Sequence, residues 1–509
     1  MADEPLIRRL TFVAEHTFRR RTILAATAAT AAGASFSALG ATAAHADSST
    51  TIDPGTSWGT WEGWGTSLAW WGKAFGNRDD LADIFFSLKD APYNGGTLPG
   101  LGLNIVRYNA GACSWNSIGG ATMVQGKAVA ATRQIEGYWL DWYSSDPASA
   151  SWNWYADAPQ RNMLWKARDR GANIFELFSD SPMWWMCYNH NPSGSADGTS
   201  DNLQSWNYQQ HAVYLATIAK FAQDNWGFQF HSVEPFNEPS GYWWKADESA
   251  QEGCHFDVST QQTVIGHLRG ELNARGLGAL VTASDECHYD DATATWNAFS
   301  AGTKADVGKI NTHGYSYGGG RRDLLYWAAR NSGKTLWNSE YGENDPSGMS
   351  LASNLNLDFT WLHPTAWCYW QVVDGGNWGL IDCDEAAGVT GAVNPKYYVL
   401  AQYTRHIRPG MRIIGSGDGN TVAAYDVANH KLVIVCTNYG TGQWINFDLS
   451  KFGTVTGSGG DGLVGRWATQ TGGGDAHTYW ADTYLHGKRF WSWFSPNTVQ
   501  SFEVEGVYL

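Results

Sequence analysis

Two glutamates stand where acid–base chemistry on a sugar–sugar bond could be done. Glu238 sits in Glu234-Pro235-Phe236-Asn237-Glu238-Pro239, just after His231-Ser232-Val233. Glu340 sits in Leu336-Trp337-Asn338-Ser339-Glu340-Tyr341-Gly342-Glu343, at the end of a second apolar run. Opening a glycosidic bond needs one protonated carboxyl to help the leaving oxygen depart and one carboxylate on the opposite side of the ring. Where that carboxylate attacks the anomeric carbon, the two groups stand about 5–5.5 Å apart and configuration is retained. In this scheme Glu238 is the acid/base and Glu340 the nucleophile. Asn237, next to the acid, is placed to donate to the sugar 2-hydroxyl, a contact that strengthens in the transition state. Glu286 and Glu343 are rival carboxylates, and Glu340 is preferred because it directly ends its apolar run. Taken singly, either motif could be a turn with a helix-capping glutamate; the pairing is what carries chemical meaning.

For the two carboxyls to meet, each must end a strand on the same face of one sheet. Eight short apolar runs ending in polar residues are candidate strands: 64–71, 103–109, 173–179, 231–238, 280–286, 310–313, 335–340 and 366–371. Amphipathic helices lie between several of them. In 208–226 the apolar residues Tyr214, Leu215, Ile218, Phe221 and Ala222 follow helical spacing before Gly227, and 260–275 repeats the pattern before Gly276. Alternating strands and helices imply a parallel sheet, and eight units imply a (β/α)₈ TIM barrel of the α/β class. Glu238 and Glu340 are 102 residues apart, three units of 34, against about 31 per unit in such barrels. They can therefore end strands 4 and 7, at the C-terminal face where barrel enzymes carry their sites.

Beyond a helix starting near Pro395 and stopped at Pro409-Gly410, the texture changes. Short alternating runs at 421–425, 432–437, 443–447 and 499–507, broken by Gly-rich turns, predict an appended all-β sandwich. The expected organisation is a signal segment over 1–46, an N-terminal strand joining the sandwich over 47–62, the barrel over 63–404 and the sandwich over 405–509.

Composition points to the class of ligand. The 509 residues include 29 Trp, 23 Tyr and 20 Phe, with only 16% charged residues, against a usual share of about a quarter. Indole rings pack well on the C–H face of a pyranose, although the same rings could equally fill a large core. A formal charge of −15 argues against nucleic acid or an anionic membrane as a partner, since both require Lys and Arg fields. Arg19-Arg20-Arg21-Thr22-Ile23-Leu24 resembles a twin-arginine export signal, and Ala44-His45-Ala46 is an A-x-A cleavage pattern. The intervening Ala/Thr-rich run is too weakly apolar to span a bilayer, so a secreted protein with no membrane contact in its mature form is expected. Seven cysteines at irregular spacing, with no C-x-x-C pair, indicate neither a disulfide framework nor a zinc site.

At these motifs the chain resembles glycoside hydrolase family 30. Trp61-Glu62-Gly63-Trp64-Gly65-Thr66-Ser67-Leu68-Ala69-Trp70-Trp71 is similar to that family's opening strand, and Tyr397-Tyr398 through Ile407-Arg408-Pro409-Gly410 to its barrel-to-sandwich junction. Within the family, the Ala69-Trp70-Trp71 opening and the two glutamate motifs are most similar to the endo-β-1,6-galactanase branch. The resemblance implies a retaining hydrolase with the acid/base on strand 4 and the nucleophile on strand 7. It also implies that Arg107, on strand 2, holds the nucleophile ionised, the alternative being an ordinary ion pair. His313 and Tyr315, after strand 6, would steer the nucleophile, the alternative for His313 being a purely structural histidine, and Trp370, ending strand 8, would floor the sugar next to the cleaved bond. Trp64, Trp184, Trp185, Trp243 and Trp244 are candidates for further sugar contacts or, alternatively, for the core. The implied substrate is the β-1,6-galactan of arabinogalactan side chains, acted on by a monomer without cofactor or metal. A β-1,6-glucanase or xylanase of the same fold, and a carbohydrate-binding protein without catalysis, remain the alternatives. Retention of both carboxyls with Asn237 argues against the last, since binding alone needs no such pair.

Overall fold

The computed structural model describes residues 46–509, which form one compact unit; the expected signal segment lies, but for Ala46, outside the described residues. Eight parallel strands close into a barrel: Gly63–Ser67, Ile105–Asn109, Ile174–Phe178, Ser232–Glu234, Leu280–Glu286, Val307–His313, Thr335–Tyr341 and Ala366–Tyr369. Each pairs with its neighbours in chain order, and the eighth pairs back onto the first, Trp367 opposite Trp64. Helices follow the strands around the outside. In Tyr208–Asn225, for example, Tyr214, Leu215, Ile218 and Ala222 are buried, and Gly227 at φ +78° follows the C-terminus. Their spacing puts them on one face of the helix, the face turned to the sheet.

All eight apolar runs overlap a barrel strand, the sixth strand starting at Val307, three residues before its run, and three strands end two or more residues short of the expected bounds. The fourth strand stops at Glu234 instead of reaching Glu238, because Pro235 has no N–H to offer the ladder. Glu238 then adopts φ +48°, a conformation rare outside glycine. The first strand ends at Ser67, and Trp71 already opens a helix. The eighth ends at Tyr369, short of Gln371.

Two further sheets face each other across a second core. One has seven strands, including Thr421–Asp426, Lys431–Asn438, Leu463–Gln470, Ala476–Tyr484 and Thr498–Val504; the other has Ser48–Thr51, Gln443–Asp448 and Arg489–Phe494. Ile434, Phe502 and Val504 from the first sheet pack with Ile445, Phe447, Phe490 and Phe494 from the second. Asp53–Thr60 pairs antiparallel with Arg412–Gly415, so the chain visits both sheets before entering the barrel. The run 499–507 is divided by Gly506 at φ +62° into a long strand and the short pair Val507–Tyr508. Gln402, on the last barrel helix, bonds to Thr469 and Ser501 and ties the two parts together. All seven cysteines are unpaired, five of them buried. No helix among the described residues is long and apolar enough to cross a membrane.

Candidate active site

At the C-terminal face of the barrel a cavity of about 380 Å³ is lined by Glu238, Glu340, Trp70, Tyr315, Trp370 and Trp378, with Arg133 and Asp374 at its wall. One oxygen of Glu238, one of Glu340 and a ring nitrogen of His313 all lie within 4.8 Å of one another. The two carboxyls therefore share one opening although 102 residues separate them in the chain.

Glu340 is the penultimate residue of the seventh strand, with His313 as its register partner on the sixth. Its Oε2 accepts from Arg107 Nη1 at 3.0 Å and its Oε1 from the Tyr315 hydroxyl at 3.0 Å. Burial pushes its carboxyl above the ordinary value, while His313 and Arg107 work against that by favouring the anion. Burial raises the Tyr315 phenol, reinforced by Glu340 and Glu238, so Tyr315 stays a donor. Glu238 is held from both sides: its Oε1 is 3.1 Å from His313 Nδ1, and its Oε2 accepts from Trp243 Nε1 at 3.1 Å. Its backbone N–H is fixed to the Asp285 carbonyl at 2.9 Å.

Below the two glutamates lies a buried ion network. Arg107 reaches Glu176 at 3.0 Å, Glu340 at 3.0 Å, and Asp285 in a short ion pair. Lys309 Nζ stands 2.6 Å from Glu176. His313 presents Nε2 to Asp285 at 3.2 Å. Burial alone would strip the charge from His313, but the Glu340 and Asp285 carboxylates outweigh it and hold the imidazolium well above its usual pKa. For Asp285 burial likewise opposes the charged form, and Arg107 and His313 win, keeping the carboxylate ionised. Single buried ions in such a place would be prohibitive; alternating signs make the set tolerable.

The structure thus brings Glu238, Glu340, Arg107, His313, Tyr315 and Trp370 into one site. Asn237, beside Glu238, is buried and its Oδ1 lacks a partner among the described residues. Trp64 is a correction: it is 1% exposed, donates its indole N–H to the Ile407 carbonyl at 2.7 Å and packs on Trp61 and Phe359, outside the barrel mouth. Its ring fills the seam between the first strand and the last helix and has no free face for a sugar. Trp184, Trp185 and Trp244 are likewise buried, each with its N–H bonded internally. The rival Glu286 is engaged by Ser240 and Thr295, and Glu343 by Lys396 at 3.2 Å.

Several site residues escaped the reading of the sequence. Glu176, Asp285 and Lys309 are charged residues inside or beside otherwise apolar strand runs, and that anomaly was the available signal. Trp70 meets Trp370 edge to face at 5.2 Å, with the Arg133 guanidinium 4.1 Å above it. Trp378 and Asp374 come from the loop after the eighth strand, where no periodicity marks them. Burial and the nearby Glu385 raise the Asp374 carboxyl to about 6, against the pull of Arg133.

Among the described residues, two clusters could offer three ligand atoms to a metal ion: Glu238–His313–Glu340, and Asp201–His255–Asp257. The first is bound up with Arg107, Trp243 and Tyr315. In the second, Asp201 accepts from the Asp257 N–H and from Thr260, across the start of the Val258–Ala274 helix.

Comparison with known proteins bears on the family and the fold. The family model described as O-glycosyl hydrolase family 30 matches residues 47–306. An endo-β-1,6-galactanase of Hypocrea rufa is 60% identical over 466 residues, covering 92% of this chain and 96% of its own. An exo-β-1,6-galactobiohydrolase of Bifidobacterium longum is 24% identical over 85% of this chain, which corresponds to 37% of that larger protein. The catalytic domain of xylanase C from Talaromyces cellulolyticus superposes with a TM-score of 0.66 at 18% identity, over 90% of this chain and 99% of that one. A conserved exported protein of Bacteroides fragilis superposes at 0.73 with 17% identity, over 89% and 99%; both likenesses concern the fold. With the paired carboxyls at the mouth of an eight-stranded barrel, the match of sequence to family model and to a near full-length relative leads to one conclusion: the chain is a glycoside hydrolase and belongs to family 30.

Proposed function

We propose that the protein is a retaining endo-β-1,6-galactanase that cuts the β-1,6-galactan side chains of arabinogalactan. The observation that carries the mechanism is that one carboxyl oxygen of Glu238 and one of Glu340 lie within 4.8 Å of each other. Inverting enzymes keep their carboxyls about 6.5–9.5 Å apart to admit a water, whereas about 5–5.5 Å suits direct attack. Glu340, supported by Arg107 and Tyr315, attacks the anomeric carbon while Glu238 protonates the departing oxygen. The C1–O bond breaks and a glycosyl ester forms on Glu340. Glu238, now a carboxylate, takes a proton from water, the water oxygen attacks C1, and the ester bond breaks to free Glu340. Asn237 is the donor to the 2-hydroxyl, and Trp370 with Trp70 is the platform for the sugar ring. His313 keeps the two carboxyls in register through its contacts to Glu238 and, at 3.5 Å, to Glu340.

The choice of galactan rests on the 60% identical relative, aligned over nearly all of both chains. The leader at 1–46 supports export, which N-terminal sequencing of the secreted product would test: Asp47 is the expected first residue. For the activity, the protein is given arabinofuranosidase-treated arabinogalactan, linear β-1,6-glucan and glucuronoxylan, and the first products are followed by proton NMR. Short β-1,6-galacto-oligosaccharides from the first substrate alone, appearing initially as the β-anomer, are the expected result. Disaccharide as the sole early product would make the action exo. Release from glucan or xylan instead would overturn the substrate, and α-anomer first would overturn the mechanism.

A further inference from the structure

Indole rings and polar groups converge at a second place, on the outer face of the sandwich. Gln443–Asp448 pairs antiparallel with Arg489–Phe494, and Trp444 stands directly opposite Trp493. Side chains alternate along both strands. Ile445, Phe447, Phe490 and Phe494 point into the sandwich core, which leaves Trp444, Trp491 and Trp493 on the outside. Trp480, from the edge strand Ala476–Tyr484 of the other sheet, reaches the same cavity of about 350 Å³. Trp444, Trp480 and Trp493 are 41%, 42% and 45% exposed.

The core does not require these rings, because phenylalanines already fill it. An outward cluster of this kind, rimmed by polar groups, is the mark of an interaction surface. The indole N–H groups support the same view. Trp64, Trp184, Trp185 and Trp244 donate theirs inside the protein. None of the four in the groove does so among the described residues. Beside the rings Arg466 grips Asp482 with two bonds, at 2.9 and 2.6 Å, and its guanidinium lies 5.6 Å from the Trp480 ring. Gln470 and Asp475 complete the wall. Among the described residues Arg466 is the one Lys or Arg in the lining, and it is paired with Asp482, which does not suit a nucleic acid or other polyanion. Flat apolar faces interleaved with uncommitted donors and acceptors match an uncharged polyhydroxyl chain.

We propose that this groove is a second glycan-binding surface, which holds a stretch of the polysaccharide lying outside the catalytic cleft. Its lining shares no residue with the cleft. It adds to affinity for polymer by avidity and adds nothing for a substrate too short to reach both places. The proposal rests on the chain being a glycoside hydrolase and does not depend on which glycan it cleaves.

Affinity electrophoresis of the full-length Glu340→Gln protein in gels containing β-1,6-galactan tests it. W444A/W493A and, separately, W480A are introduced into that background and into the active enzyme. Retardation by the polymer should weaken at least about fivefold in the double variant, two ring contacts being lost, and measurably in W480A. In the active enzyme KM for polymer should rise while kcat/KM on a β-1,6-galactotetraose is unchanged. Equal retardation of parent and variants overturns the proposal. Should the double variant lose tetraose activity as well, W480A decides alone, since its edge strand can shed a ring without disturbing the three-stranded sheet. If the active enzyme ignores galactan, the substrate reading fails; the same gels are then cast with whichever polymer it cleaves, so the two failures are told apart.

Discussion

Replacing Glu340 by glutamine removes one charge and keeps the side-chain shape. Arg107 Nη1 can still donate to the amide oxygen, and the Tyr315 hydroxyl can turn to accept from the amide N–H. Arg107 retains Glu176 and Asp285. The nucleophile itself has no substitute, so kcat should fall by about 10⁴-fold or more, equivalent to about 5.5 kcal/mol of transition-state stabilisation. Stability should move the other way. Burial raises the Glu340 carboxyl above its ordinary 4.5 despite His313 and Arg107, so the folded protein holds this proton more tightly than the unfolded chain does. Below pH 4.5 Glu340 is protonated in both folded and unfolded states and the substitution is neutral. As pH rises through the elevated folded value, the native enzyme loses stability that the glutamine variant keeps. Thermal unfolding at pH 4 and pH 7, with kcat on galactan oligosaccharides, reads both effects. The Tm of the variant relative to the native enzyme should increase between the two pH values. A deficit at pH 7 of the size of a broken buried ion pair, about 3–5 kcal/mol, would refute the charge argument. Activity within tenfold of native would refute the nucleophile.

Other expectations follow from the same contacts. Glu238→Gln should slow hydrolysis of natural galacto-oligosaccharides by about 10²–10⁴-fold and aryl glycosides with good leaving groups far less; an equal loss on both, measured by kcat/KM, would remove Glu238 from the acid role. Tyr315→Phe deletes a 3.0 Å hydrogen bond to a carboxylate, a bond of about 1.5–3 kcal/mol; kcat should drop about 10- to 150-fold, and a loss below twofold would show that the bond does not act on the nucleophile. Arg107→Met leaves Asp285 and Glu340 without their common cation and should lower unfolding free energy by about 3–5 kcal/mol in chemical denaturation; a change under 1 kcal/mol would contradict the network. His313 has a raised folded pKa, so the stability it contributes is full below about pH 6.5 and fades as pH rises through the folded value. His313→Gln should therefore flatten the alkaline decline of Tm, and an unchanged decline would assign it to other groups.

Alternation of apolar runs with helical periodicity was enough to indicate eight strands, because each barrel strand is buried on both faces and reads as a mostly apolar stretch. The Asn-Glu-Pro and Asn-Ser-Glu motifs lay at strand ends whose spacing placed them on one rim. Local patterns of this kind survive in a linear sequence because the residues that make them are neighbours. The destination of each indole does not survive. Trp64 and Trp370 both stand at barrel strands, yet one fills the seam beneath the sandwich and the other lines the cleft. Which side a ring takes depends on what packs there from distant parts of the chain. The same holds for Arg107, Glu176, Asp285, Lys309 and His313, which belong to four different strands. Each charge is intelligible only beside its counter-ion, and closure of the barrel is what brings them together. The left-handed backbone of Glu238 and Asp285, at φ +48° and +57°, likewise has no local signature; it is held by the Glu238 N–H to Asp285 carbonyl bond across two strand ends. The sequence by itself determined which elements form and which two carboxyls face the same rim. Only the tertiary structure decided how those carboxyls are charged, aimed and held, since electrostatics in a buried site is set by distances between residues far apart in the chain.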